Sequence, residues 1–378
     1  MRLFSSKIIL YPAFWLLWMG ISSVKRPPRA NVVSGMIKGL SGPTVQLVWE
    51  EDINRKKESV LADLPVDAGG SFRFERDLAP GIYRLQVSQD RSVRMAIDHG
   101  QQLLITGAAG GTLQVTGSED TEALHAYESY RTNSLQRLVL PVRAQIKMLE
   151  GQGRTAGDRQ FDSLVALEMT SYEQHKNELI AYAELQMGTS VAIYATSIRW
   201  DGERNLPALS VLAQRFALAH PNTQVAALVE EKVRIIASNR VGAKAPDIKL
   251  PDQHGAAVWL SSIHARYILV DFWASWCLPC RRERTQLGEL YKTFHSKGFE
   301  IYAVGLESRK ESWLHAIESD QRTWIHVSAL QQFETPAAFD YSVSSLPSNV
   351  LLDSAGTIIA RNLHGRDLER KLEALFAK

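Results

Sequence analysis

Residues 271–281 read DFWASWCLPCR and contain the only two cysteines of the 378-residue chain, Cys277 and Cys280. The run 267–270 directly before this stretch is short, continuous and apolar, as expected of a strand that is buried on both faces. Residues 281–294 follow a helical pattern. The sequence therefore predicts a strand, a tight turn and a helix, with both cysteines at the turn.

The position of Cys277 near a helix N-terminus favours its thiolate. Unpaired backbone N–H groups and the helix dipole stabilise negative charge there, so we expect a low pKa for the Cys277 thiol. Cys280 lies one turn further on and is placed to attack a mixed disulfide formed on Cys277. We interpret the pair as a redox-active dithiol in which Cys277 is the nucleophile.

Three other roles for the cysteine pair have less support. A zinc site needs four ligands, and the sequence has neither a second cysteine pair nor a suitably spaced histidine pair. A purely structural disulfide across so short a loop would restrict the unfolded chain very little. A peroxidatic cysteine would act without this partner, and the flanking residues do not suggest one. We therefore expect no metal and no cofactor.

The segment 241–378 resembles the thioredoxin-fold domains of extracytoplasmic proteins of the TlpA/ResA type. The residues that carry the resemblance are Ala245-Pro246-Asp247 with Leu250, Asp252 and Gly255, then Trp273 to Arg281 with Glu283, then Leu346-Pro347 with 349–353 and Gly356. The resemblance implies a thiol:disulfide oxidoreductase that reduces protein disulfides, with antioxidant activity and a part in cytochrome c biogenesis. It also implies a membrane dithiol carrier as the electron donor.

Several residues join the cysteines in the expected site. Asp271 lies inside an apolar run, where desolvation raises the pKa of a carboxyl group towards the working pH. It resembles the buried aspartate of thioredoxins, which assists deprotonation of the second cysteine. Leu346 and Pro347 match the loop whose cis-proline faces the disulfide, and with Pro279 they are expected to contact substrate. Trp276 is expected to cover the cysteines as an apolar platform.

Glu307 resembles an acidic position near the site of ResA-type proteins, although its segment is one residue shorter here. A solvated loop glutamate is the alternative. Two other positions depart from the family pattern, because Thr285 replaces a proline that is common in relatives and Leu278 replaces the glycine of thioredoxin. We therefore expect a straighter helix and a different outer groove.

Residues 1–24 have the features of a targeting segment. Arg2 and Lys7 precede an apolar run, 8–21, which has the length found in secretory signals and is short for a membrane span. Residues 21–23 form a poor cleavage site, so cleavage and retention as a membrane tether both stay open. We expect export to the periplasm or cell envelope, where disulfides persist, in solution or tethered to the inner membrane. A formal net charge of +2 gives no electrostatic case for nucleic acid as a partner.

Two regions separate this segment from the redox domain. Residues 31–117 alternate apolar and polar side chains between Gly, Pro and Asp turns, which predicts a small antiparallel β domain. It resembles the uncharacterised β-rich module often found ahead of such thioredoxin domains. Residues 118–238 have helical periodicity and predict several amphipathic helices, with Pro141 kinking or dividing the first.

Neither region shows a catalytic constellation, so a spacer or docking role is expected for the β domain. In the helical region Met148, Met169 and Met187 are interpreted as core residues. The expected fold is α/β, with a C-terminal thioredoxin fold at 241–378 after the β domain and the helical segment.

The cysteines alone do not set the direction of the reaction. A net disulfide oxidase or isomerase would use the same residues, and changes within the loop alter the reduction potential easily. A non-catalytic envelope protein that binds a partner through the β and helical regions is the other alternative.

Overall fold

The computed structural model describes residues 30–40, 42–154, 158–200, 205–319 and 322–377. The predicted targeting segment, residues 1–24, lies outside the described residues. No helix within the described ranges is both long enough and apolar enough to cross a membrane. Membrane tethering through residues 1–24 stays a prediction.

The first described region is built from strands. They are β1 (Asn31–Lys38), β2 (Thr44–Asp52), β3 (Lys57–Pro65), β4 (Ser71–Arg76), β5 (Gly81–Ser88), β6 (Arg91–Ile97), β7 (Gln102–Ala108) and β8 (Leu113–Thr116). They form two four-stranded sheets, ordered β4-β1-β7-β8 and β3-β2-β5-β6, around a shared apolar core that includes Val33 and Leu85. The predicted β domain is present, but β1 and β7 pair in parallel, so one sheet is mixed rather than antiparallel throughout.

Helices dominate the second region. They are α1 (Glu119–Leu138), α2 (Leu140–Gly151), α3 (Arg159–Gln186), α4 (Ala192–Thr196), α5 (Leu206–Ala219) and α6 (Gln224–Ser238). Pro141 lies in the first turn of α2, where its missing N–H costs no helical hydrogen bond, and the chain is divided there as predicted. We call α2 and α3 the helical hairpin. Its apolar cluster consists of Val142, Ile146, Leu149, Phe161 and Val165.

The last region alternates strands and helices. They are β9 (Lys249–Pro251), β10 (Ala257–Trp259), β11 (Tyr267–Trp273), α7 (Leu278–Phe294), β12 (Phe299–Gly305), α8 (Lys310–Ser319), β13 (Ile325–Val327), α9 (Pro336–Asp340), β14 (Ser348–Asp353), β15 (Ile358–Arg361) and α10 (Gly365–Phe376). A five-stranded sheet has the order β13-β12-β11-β14-β15. Its central strand, β11, pairs in parallel with β12 and antiparallel with β14. This is the predicted α/β arrangement with a C-terminal thioredoxin-like domain.

Two details of the last region differ from the sequence expectation. The helix after the cysteines begins at Leu278 rather than at residue 281, because Cys277 is its N-cap residue and Pro279 fits the first turn. The short elements β13 and α9 were not predicted, since runs of so few residues show no clear periodicity.

The side chains of β11 alternate between two apolar cores. Ile268 and Phe272 join the core on one face of the sheet, whereas Leu269 and Trp273 join the core that contains α7 and α10. Asp271 points to the second face, because side chains two residues apart on a strand share a face. Both cysteines belong to that same core. The strand therefore places the Asp271 carboxyl group on the disulfide side of the sheet.

Candidate active site

The two cysteines form a disulfide at the start of α7. Their Cα atoms are 5.3 Å apart, and only 4% of Cys277 and 5% of Cys280 is exposed. The Sγ of Cys277 accepts a hydrogen bond from the backbone N–H of Cys280 at 3.1 Å. A sulfur that caps a helix N-terminus in this way is placed where a thiolate is stabilised.

Glu307 supports the turn between β11 and α7. It is buried, and its carboxylate accepts a hydrogen bond from the backbone N–H of Ser275. The backbone N–H of Leu306 donates to the carbonyl of Trp273 at 2.8 Å in the same region. Glu307 is therefore buried beside the turn that carries the cysteines and is not a solvated loop glutamate, while its role as an acid at the site stays a prediction. Its contact is with the backbone of the turn.

Asp271 is buried in the centre of the sheet, on β11. Burial raises the pKa of its carboxyl group to about 7, and the negative charge of Glu283 acts in the same direction. The positive charges of Arg322 and His364 oppose this rise. A carboxyl group with a pKa near neutrality can accept and release a proton at the working pH.

Glu283 and His364 form a pair that the sequence analysis missed. His364 Nδ1 lies 2.8 Å from Glu283 Oε1. Burial lowers the pKa of His364, but the hydrogen bond and charge of Glu283, together with the charge of Asp271, raise it overall. Glu283 lies one turn after Cys280 on α7, which was a usable signal. His364 is 81 residues from Glu283 and carried none.

The predicted substrate-contact residues meet at one cleft. The bond between Leu346 and Pro347 is cis, as expected from the resemblance. Leu346, Pro347, Pro279 and Trp276 line the cleft together with Cys277. The side chain of Trp276 is 52% exposed, so part of it faces solvent, and its expected cover over the cysteines stays a prediction.

The helical hairpin forms the opposite side of this cleft, which has a volume of about 820 Å³. Val165, Met169 and Tyr172 of α3 contribute to its lining. Leu278, between the two cysteines, packs against the apolar cluster of the hairpin. The substitution of leucine for the glycine of thioredoxin therefore provides an apolar contact with a region that lies outside the thioredoxin-like domain.

Two ion pairs fasten the helical hairpin to α7. Arg281 lies 3.3 Å from Glu150 of α2, and Arg282 lies 2.6 Å from Asp162 of α3. Both arginines follow directly after the cysteines on α7. They hold a second structural unit next to the disulfide.

Metal ligands are not grouped in the described ranges. No three His, Cys, Asp or Glu side chains among those residues are arranged to hold a metal ion. Two histidines of the helical region have hydrogen-bond partners within that region: His175 Nδ1 lies 2.9 Å from Ser134 Oγ, and His220 Nε2 lies 2.6 Å from the carbonyl of Thr189.

Known proteins resemble the region that contains the disulfide. Residues 241–361 match the AhpC/TSA family. The thiol-disulfide oxidoreductase ResA of Geobacillus kaustophilus is 34% identical over 138 residues, which are 36% of this chain and 78% of that protein. The protein of the same name from Bacillus subtilis is 28% identical over 119 residues, which are 31% of this chain and 64% of that protein.

Two solved structures are also similar to part of this chain. The thioredoxin domain of a thiol-disulfide oxidoreductase from Bacteroides vulgatus is 35% identical, with 36% of this chain and 98% of that chain covered and a TM-score of 0.35. A thiol-disulfide oxidoreductase from Bacteroides fragilis is 33% identical, with 35% and 98% covered and a TM-score of 0.34.

The fold and the disulfide at the start of α7 define an enzyme, a thiol-disulfide oxidoreductase with a C-terminal thioredoxin-like domain. Within that class the chain belongs to the ResA/TlpA type, as its likeness to the Geobacillus protein shows.

Proposed function

We propose that the protein is a protein-disulfide reductase that acts outside the cytoplasm. The observation that carries the proposal is a disulfide at the N-terminus of α7 that shares one cleft with the cis-proline loop. In the reduced enzyme the Cys277 thiolate attacks one sulfur of a substrate disulfide. A bond forms between Cys277 and that sulfur, and the other substrate sulfur leaves as a thiolate.

Cys280 completes the reaction. Its thiolate attacks Cys277 Sγ, so the bond between Cys277 and Cys280 forms and the second substrate sulfur leaves. Two electrons have then passed to the substrate, and its two thiolates take protons from solvent. The enzyme ends in the disulfide form that the structure shows.

We assign Asp271 as the base that accepts the proton of Cys280. A general base works best when its pKa is near the working pH, and burial raises the pKa of Asp271 to about 7. Cys280 lies in the core on the face of the sheet to which Asp271 points. Trp276, Pro279, Leu346 and Pro347 are the proposed substrate contacts, since all four line the cleft.

Net reduction is proposed because the resemblance is to reductases of the TlpA/ResA type. The test is the reduction potential, measured by equilibration with glutathione. A reductase should lie near thioredoxin, at about −270 mV, whereas an isomerase is near about −180 mV and a strong oxidase near about −120 mV. A value at the oxidising end would favour the oxidase alternative.

Export and the electron donor are part of the proposal. The charged start and apolar run of residues 1–24 support export, and a membrane dithiol carrier would then return electrons to the oxidised enzyme. Fractionation of cells that produce the full chain, with a C-terminal tag, tests location. Recovery in the cytoplasmic fraction would contradict export.

Insulin reduction by the full chain, with dithiothreitol as donor, tests the activity. Cys277→Ser should abolish it, and Cys280→Ser should accumulate mixed disulfides that identify substrates. A part in cytochrome c biogenesis would depend on the same two thiols and is tested by the same variants. A cellular function that survives removal of both thiols would instead support the non-catalytic binding protein.

A further inference from the structure

We propose that the helical hairpin is the second wall of the substrate cleft and selects an extended, cysteine-containing polypeptide segment with acidic side chains beside its disulfide. This inference rests on the proposed reductase function and adds a source of selectivity that lies outside the thioredoxin-like domain. Three properties of the cleft lead to it: its shape, its closure over Cys277 and the charges on its lining.

The shape of the cleft limits what can enter. Trp276 and Pro347 lie on the side of the thioredoxin-like domain, and Met169 and Tyr172 lie on the side of the hairpin. The volume of about 820 Å³ falls within the range of about 300–1,000 Å³ that is usual for small-ligand pockets. Such a space accommodates a short stretch of chain and excludes the surface of a folded domain.

The hairpin also limits access to the nucleophile. Leu278 packs against its apolar cluster, and Lys176 of α3 donates a hydrogen bond to Ser345 Oγ in the cis-proline loop at 3.3 Å. The hairpin therefore contacts both the loop between the cysteines and the cis-proline loop. Because only 4% of Cys277 is exposed, a substrate sulfur must approach it through the cleft.

The charges on the lining of the cleft favour an acidic substrate. Its three acidic side chains each have a cationic partner: Glu150 with Arg281 at 3.3 Å, Glu168 with Arg143 at 2.7 Å, and Glu173 with Lys176 at 2.5 Å. Lys147 also lines the cleft, is exposed, and has no ion pair within the described part of the chain. Over the whole lining, the four cations Arg143, Lys147, Lys176 and Arg361 exceed these three glutamates by one positive charge, which attracts acidic side chains and disfavours basic ones.

The first experiment narrows the cleft from the hairpin side. Met169→Trp places a larger side chain in the lining, and Leu167→Trp makes a comparable change on the same helix at a position that is 49% exposed and outside the lining. The substrate is a short unstructured peptide with an interchain disulfide, reduced by the full chain. We expect Met169→Trp to lower kcat/KM about tenfold or more, because displaced substrate loses reactive alignment, and Leu167→Trp to leave it nearly unchanged. Circular dichroism confirms that both variants are folded.

The second experiment tests charge. Two peptides of equal length carry either Glu or Lys on both sides of the cysteine. At low salt we expect the wild type to reduce the Glu peptide about threefold to tenfold faster, and this preference should shrink at high salt. Lys147→Glu should remove or reverse the preference, whereas Lys38→Glu, the same change on an exposed strand position, should retain it.

The outcomes separate the two proposals. If the wild type is active but Met169→Trp behaves like Leu167→Trp, or Lys147→Glu keeps the wild-type preference, the inference about the hairpin is wrong and the reductase proposal stands. A wild type that reduces neither peptide nor insulin overturns both.

Discussion

His364 Nδ1 and Glu283 Oε1 lie 2.8 Å apart, which pairs the start of α10 with the second turn of α7. The two side chains act on the pKa of Asp271 with opposite signs, since Glu283 raises it and His364 lowers it. The pKa of the proposed base therefore depends on two neighbouring side chains that are bonded to each other. Each of the two can be substituted separately.

The first prediction concerns the pH dependence of the resolving step, in which Cys280 attacks the mixed disulfide. Deprotonated Asp271 is the base, so the rate should rise as pH increases through its pKa, about 7 in the wild type. Glu283→Gln removes a negative charge and should move the midpoint to lower pH, whereas His364→Gln removes a positive charge and should move it to higher pH. Stopped-flow profiles measure both shifts. Shifts of the same sign would contradict this account, and His254→Gln, at an exposed loop position, is the control.

Asp271→Asn should slow the resolving step at neutral pH by about tenfold to a hundredfold, at the low end of general-base contributions. The first attack should change much less, because the Cys277 thiolate depends on the helix N-terminus. Tryptophan fluorescence in stopped-flow experiments follows both steps. An unchanged resolving rate would make Asp271 a structural residue.

The same substitution should change stability in a pH-dependent way. The pKa of Asp271 is about 7 in the folded chain and near 3.8 when unfolded, so the folded state holds this proton more tightly. The stability that protonated Asp271 provides is complete below the unfolded pKa and is lost as pH rises through 7. The free energy of unfolding of oxidised Asp271→Asn, relative to that of the oxidised wild type, should therefore increase as the pH rises from 4 to 8. The increase should be up to about 4 kcal/mol.

Denaturant unfolding of the oxidised proteins at both pH values measures this gain. The disulfide form is used because its cysteines do not titrate. Asp90→Asn, which removes an exposed carboxylate, is the control and should show no comparable gain. A stability difference that is independent of pH would show that Asp271 has an ordinary pKa.

The thiols of the reduced protein should differ in reactivity. Cys277 should alkylate faster than Cys280, and at lower pH, because its sulfur lies at the helix N-terminus and accepts the N–H of Cys280. Iodoacetamide labelling followed by mass spectrometry gives the rate at each site. Equal rates would remove the basis for naming Cys277 the nucleophile.

Leu278→Ala should loosen the hairpin from the disulfide. The loss of part of a half-buried leucine side chain should cost about 1–2 kcal/mol of unfolding free energy. Reduced Cys277 should also react faster with a bulky maleimide, because the hairpin limits access to it. Leu185→Ala, at a position of α3 that is 73% exposed, should change neither quantity. A maleimide rate equal to that of the wild type would show that the hairpin does not restrict access.

The sequence determined those features that depend on neighbours along the chain. The apolar run of β11 and the helical period after it predicted the strand, the turn and the cysteines at a helix N-terminus. The same run predicted a raised pKa for Asp271, because a carboxyl group inside a buried strand loses its water wherever the strand packs. The cis bond before Pro347 came from the family resemblance.

Tertiary structure alone decided which distant residues meet. Amphipathic periodicity shows that a helix buries one face but does not identify the element that covers it. Met148 and Met169 both looked like core residues, yet Met148 is 64% exposed and Met169 lines the cleft. The pairing of His364 with Glu283 and the contact of the hairpin with Leu278 likewise join residues far apart in the chain. Such contacts depend on how the packed elements are oriented, and no local pattern of residues records that orientation.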